Sequence, residues 1–142
     1  MGRTLFVAAL LLAPVGLVLA DSKVDTSKLT GTWKVTGGEK DGKLQASSDL
    51  KGKEVKITKD TITCTKDGKT EMACTYTVDT ASKPWKIEMK CTAGEHKDKT
   101  LEGIIKMDGD KLTICHGKPG KAAPKDFTTN VGESCIKLER EK

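Results

Sequence analysis

Five cysteines (Cys64, Cys74, Cys91, Cys115 and Cys135) and two histidines (His96 and His116) hold most of the reactive chemistry in this 142-residue chain. Successive cysteines lie ten, seventeen, twenty-four and twenty residues apart. The closely paired C-x₂₋₄-C arrangement of structural zinc sites is missing, and the histidines are far apart, so no metal site is expected. Catalysis would need a nucleophile beside a base, or two carboxylates in different environments. There is no G-x-S-x-G, no H-E-x-x-H and no glycine-rich phosphate loop. Asp41, Asp67, Asp108 and Asp110 fall at turns, while Glu71, Glu88 and Glu102 fall on polar faces. His116 directly follows Cys115, and on a strand the two would point to opposite faces, which forbids a dyad. The chain is therefore expected not to be an enzyme, and no cofactor is implied. What remains for the thiols is disulfide formation, which depends on compartment.

The N-terminus speaks to compartment. Met1-Gly2-Arg3 is a short positive region, Leu5 to Leu12 is an unbroken apolar run, and Val18-Leu19-Ala20 precedes Asp21 as a small-residue cleavage pattern. A secretory signal peptide is expected over residues 1–20, with a single mature domain over 21–142. The apolar run is shorter than the ~20 residues of a membrane span, and no cysteine follows it to take a lipid. Export to a periplasmic or extracellular space is expected, as a monomer with no stable membrane insertion after cleavage. The formal charge is +5 for the whole chain, from scattered lysines. A nucleic-acid binder would show a basic stripe with interleaved aromatics. This chain has only 2 Phe, 2 Trp and 1 Tyr, so no nucleic-acid partner is expected and the lysines read as solvated faces and edge protection.

The elements that must position these residues are strands. From Thr30 onward apolar residues recur with period two: Trp33 and Val35; Val55 and Ile57; Ile62 and Cys64; Met72, Cys74, Tyr76 and Val78. Ile87, Met89 and Cys91 follow, then Leu101, Gly103, Ile105 and Met107, then Leu112 and Ile114, then Ile136 and Leu138. Asp41-Gly42, Asp67-Gly68 and Gly109-Asp110 are hairpin signals, and Lys83-Pro84 marks another reversal. Ser47 to Gly52 reads as one short helical turn with Ser47 or Ser48 as cap. The irregular stretch Gly117 to Asp126 holds two prolines, which argue against a central strand. Roughly eight strands, each with one apolar face, suit a sandwich or a barrel. Consecutive hairpins without a long crossover favour an all-β, roughly eight-stranded antiparallel up-and-down barrel.

Gly31-Thr32-Trp33 resembles the lipocalin G-x-W motif. That resemblance implies a tryptophan packed across the closed end of an eight-stranded barrel, with a basic residue of the last strand, here Arg140, stacked over it. Gly31, Trp33 and Arg140 are its structural residues. The wider run GTWKV…EKDGK…TYTVD…KPWKIEM…GIIKMDGDKLTICHGKPGKAAPKDF…IKLEREK is similar to a planctomycete family of short exported lipocalin-like domains. That family carries no assigned activity, so it informs fold more than function. The chain departs from its pattern at His116, where an apolar or aromatic residue is expected, and at Ala123, where arginine is expected before Pro124.

Hairpin arithmetic pairs the cysteines. If Val78 opposes Ile87, then Tyr76 opposes Met89 and Cys74 opposes Cys91. If Leu112 opposes Leu138, then Cys115 opposes Cys135 on the outer face. Directly opposed residues lie within disulfide reach. Bridges Cys115–Cys135 and Cys74–Cys91 are expected, with Cys64–Cys74 as competitor to the latter; an odd count leaves at least one free thiol. Inside, Met72, Tyr76, Met89, Gly103 and His116 form the candidate lining for a small hydrophobic ligand. The other reading is a filled barrel serving as an envelope interaction or structural module through its lysines and the 117–126 loop.

Overall fold

Eight strands with one apolar face each can all bury that face only by curling around a common axis, and the chain does so. The computed structural model describes residues 26–141, so the expected signal peptide over 1–20 lies outside the described residues. After a 3-10 turn at Thr26–Leu29 come β1 (Gly31–Lys40), β2 (Lys43–Leu44), the single helical turn α1 (Ser47–Leu50), β3 (Lys53–Ile57) and β4 (Thr61–Lys66). They are followed by β5 (Lys69–Asp79), β6 (Trp85–Gly94), β7 (Thr100–Asp108), β8 (Lys111–His116) and β9 (Ser134–Arg140). Neighbours from β3 to β9 pair antiparallel in chain order. β1 pairs with both β3 and β9 and closes the ring. The two-residue β2 only folds back on the end of β1. The fold is an all-β, eight-stranded antiparallel up-and-down barrel, lipocalin-like in shape.

Turn chemistry sets the register. Asp41-Gly42 and Asp67-Gly68 have positive φ at both residues, as two-residue hairpin turns of type I′ require. Gly109-Asp110 pairs Met107 with Leu112, Ile105 with Ile114 and Gly103 with His116. Val78 opposes Ile87, Tyr76 opposes Met89 and Cys74 opposes Cys91. Leu112 opposes Leu138 and Cys115 opposes Cys135. At α1 the cap position belongs to Ala46, and no side chain bonds the helix start; neither Ser47 nor Ser48 serves as cap, since both lie inside the turn.

The barrel holds one core, including Trp33, Val55, Ile87, Leu101, Ile105, Leu112 and Leu138, all nearly or fully buried. Each such side chain contributes about 1.5–3 kcal/mol of transfer free energy. A second, smaller cluster sits outside the wall. There Ile104, Cys115 and Cys135 are buried, with Ala123 and Phe127 of the β8–β9 connection packed on them. The Cys115–Cys135 disulfide is formed in this outer cluster, and Lys106 Nζ lies 4.6 Å from the Phe127 ring centroid. The long connection is thus fastened to the barrel exterior.

Candidate functional site

Turns alternate between the two ends of an up-and-down barrel, so the chain builds each end from different connections. One end is shut. Trp33 is 0% exposed, its Nε1 donates to the Leu29 carbonyl at 2.9 Å, and the Arg140 guanidinium lies 4.3 Å from the ring centroid. Arg140 also donates to the carbonyls of Thr30, at 3.1 Å, and Lys28, and meets Asp110 at 3.5 Å. Gly31 makes that approach possible: a Cβ there would stand 3.0 Å from Arg140 Nη1, at a backbone φ of +143°. A shallow depression of about 500 Å³ lies beside Arg140, with Met107 its one apolar lining residue.

The other end is open. A cavity of about 530 Å³ descends from it, walled by Val35, Val55, Ile62, Cys64, Met72, Met89, Ile114 and Ile136. Its polar margin includes Lys40, Gln45, His96, His116 and Ser134, with the Lys53–Glu71 ion pair at 3.4 Å. This volume falls within the range of ordinary small-molecule sites.

Of the five candidate lining residues, Met72, Met89 and His116 border this cavity, whereas Tyr76 and Gly103 do not. The Tyr76 hydroxyl donates to the Thr58 carbonyl at 2.7 Å, in the β3–β4 turn at the shut end. Burial, and secondarily Asp60, push its pKa up. Gly103 frees no interior volume: a Cβ there would strike the Cys115 carbonyl at 2.3 Å. Its glycine serves close approach of β7 to β8.

His116, last residue of β8, is the chemically distinctive group of the cavity. Its Nδ1 lies 2.9 Å from the Gly117 carbonyl oxygen. A carbonyl can only accept, so Nδ1 carries the proton and neutral His116 keeps a lone pair on Nε2. Among the described residues nothing else bonds the ring, and no fully buried side-chain nitrogen lacks a partner. Nε2 is therefore not fully buried, and His116 is one of the residues that line the cavity. Burial lowers the His116 pKa, with His96 and Lys40 adding to the shift and the Gly117 carbonyl opposing it.

The three inward cysteines are thiols. Cys74 and Cys91 oppose each other without a bridge, and Cys64 is also free; the expected second disulfide is absent. A bulge between Cys64 and Thr65 pairs Cys64 with Met72 and leaves it diagonal to Cys74. Burial pushes the Cys64 thiol up to about 11 and raises Cys74 further. Both are protonated at neutral pH and are poor nucleophiles.

His96, Lys40, Gln45 and Ser134 were not singled out for the cavity from the residues alone. Strand parity is the signal for His96: the β6–β7 turn that carries it shares an end with the β8–β9 connection beside His116. No family model matches the chain, and neither a curated protein nor a solved structure matches it. The resemblance to lipocalins is one of barrel shape.

Proposed function

We propose that the barrel binds one small, largely apolar molecule in its open-ended cavity and performs no catalysis. The observation that carries this reading is the cavity of about 530 Å³, with one apolar wall, at the end opposite Trp33. Within the same reading the protein is exported after cleavage near Ala20 and acts as a monomer, akin to the short exported lipocalin-like domains of planctomycetes. The Cys115–Cys135 bridge suits an oxidising compartment. Titrating the mature protein with N-phenyl-1-naphthylamine tests it. Fluorescence should rise saturably, and Met72→Trp, which places a large ring at the mouth, should weaken binding about tenfold or more. No probe binding by the wild type would sink the proposal.

A second reading has its own observation. The two exposed large apolar residues among those described, Leu44 at 79% and Val131 at 85%, belong to connections at the open end. They are tied together there: Gly132 N–H donates to Asp41 at 2.6 Å and Gly42 N–H to the Thr129 hydroxyl at 2.8 Å. Such a rim, with its lysines, suits contact with an envelope partner. Salt-sensitive retention on envelope material, unchanged by Met72→Trp, would favour this surface over the well.

A further inference from the structure

The rim and floor of the cavity are chemically unequal, and that inequality bears on ligand class. The lower wall is aliphatic and thioether, from Val55, Ile62, Met89 and Ile114. His116 stands at the β8 terminus on the mouth side, with Nδ1–H committed to the Gly117 carbonyl. We propose that the cavity selects a molecule with an aliphatic body and a hydroxyl head that donates its hydrogen bond to His116 Nε2, an aliphatic alcohol being the simplest case. This inference rests on the cavity being a binding site.

The argument is one of complementarity. A ligand that fills the well covers Nε2 and strips its water. A head with an O–H donor restores the lost bond. An ether of the same shape has only acceptor oxygen, and an ionised carboxylate is likewise acceptor-only. Either would press lone pair against lone pair, and an acceptor buried without a partner costs more than a good bond returns. Exposed Lys40 at the rim is the one described lining group besides the Lys53–Glu71 pair and the imidazoles that could draw an anion. Lys40 shares a register row with Ser134 and His116, so a carboxylate drawn to it still offers Nε2 no donor.

Competition against bound N-phenyl-1-naphthylamine, with decan-1-ol, 1-methoxydecane and decanoate, separates these outcomes. The mature protein is held at about pH 8, above the usual imidazole range. Decan-1-ol should displace the probe about tenfold more effectively than the methyl ether, the equivalent of one hydrogen bond, and more effectively than decanoate. In His116→Phe, which keeps a planar ring and removes the acceptor, alcohol and ether should become equal. The ligand pair tests the wild type directly, so the inference does not depend on the variant folding. Equal displacement by alcohol and ether in the wild type, or decanoate outcompeting decan-1-ol, would overturn the hydroxyl inference and leave the cavity reading standing. Failure of the probe and of all three competitors to bind would overturn both.

Discussion

The two ends of the barrel are made from the termini of the same strands, yet they solve opposite problems. At the shut end the plugging indole and the guanidinium over it are both answered by partners inside the molecule. The Trp33 indole is bonded and stacked, and Arg140 meets two carbonyls, a carboxylate and a ring. At the open end Cys64, Met72 and Ile136 are only half-buried, and among the described residues Nε2 of His116 has no hydrogen-bond partner. Small connections suffice to shut one end. The open end carries the long ones, including the 41–52 and 117–133 segments, and the longer of these needs a disulfide and its own outer cluster to hold it. The shut end is tied by its own partners, and the proposed site lies at the end that keeps a cavity.

The largest effect should therefore come from the shut end. Trp33→Ala removes a fully buried indole, leaves the Leu29 carbonyl without its donor and unstacks Arg140, costing about 3–5 kcal/mol. Urea denaturation of mature protein measures it. Trp85 is only partly buried, so Trp85→Ala should cost clearly less. Trp85 opens β6 at the same end, so equal losses at the two tryptophans would mean that the bonded and stacked setting of Trp33 adds nothing to the burial of a ring.

Next comes the staple beside the open end. Cys115 and Cys135 enclose a separation of 20 residues, for which chain-entropy arguments give about 3 kcal/mol. Replacing both by alanine should lower stability by about that amount, and reductant should then have no further effect, since Cys64, Cys74 and Cys91 are already thiols. Reductant sensitivity persisting in the double variant would reveal a second bridge, and Cys74–Cys91 is the pair in register to form it.

Where the sequence was informative, two independent signals coincided. Turn chemistry at Gly109-Asp110 and the inward face of Ile105, Met107, Leu112 and Ile114 demand the same register, because a slip of one residue would turn every side chain outward. From that register the pairing of Cys115 with Cys135 follows by counting. Three features were not legible. Bulges at Val35/Gly37, Cys64/Thr65 and Ala73/Cys74 depend on how the closed sheet must bend. Tyr76 has the inward parity of a pocket residue, but strand tilt carries it toward the shut end, and tilt is a property of the whole ring. Gly103 looked like spare volume, while the backbone approach that explains it is a contact between strands.

The smallest effect should be at His116, and it distinguishes the ends by pH. Its folded pKa lies below the unfolded imidazole value, first because of burial and then because of His96 and Lys40. As pH falls through about 6.5 the unfolded chain takes up the proton first. Stability then declines because the unfolded state binds more protons, and the decline stops once pH passes below the folded value. His96, Lys40, Lys53, Glu54, Glu71 and Glu95 line the same mouth, so the test is a difference. The stability loss between about pH 7.5 and pH 5.5 should be smaller in His116→Phe than in wild type, by urea denaturation at each pH. Identical losses would mean that His116 is not held neutral by its surroundings. Trp33 carries no titratable group, so the indole that plugs the shut end adds nothing to that difference. The same protonation turns Nε2 from acceptor to donor. Affinity for decan-1-ol relative to its methyl ether should therefore fall as the pH drops, and in His116→Phe that ratio should not move with pH.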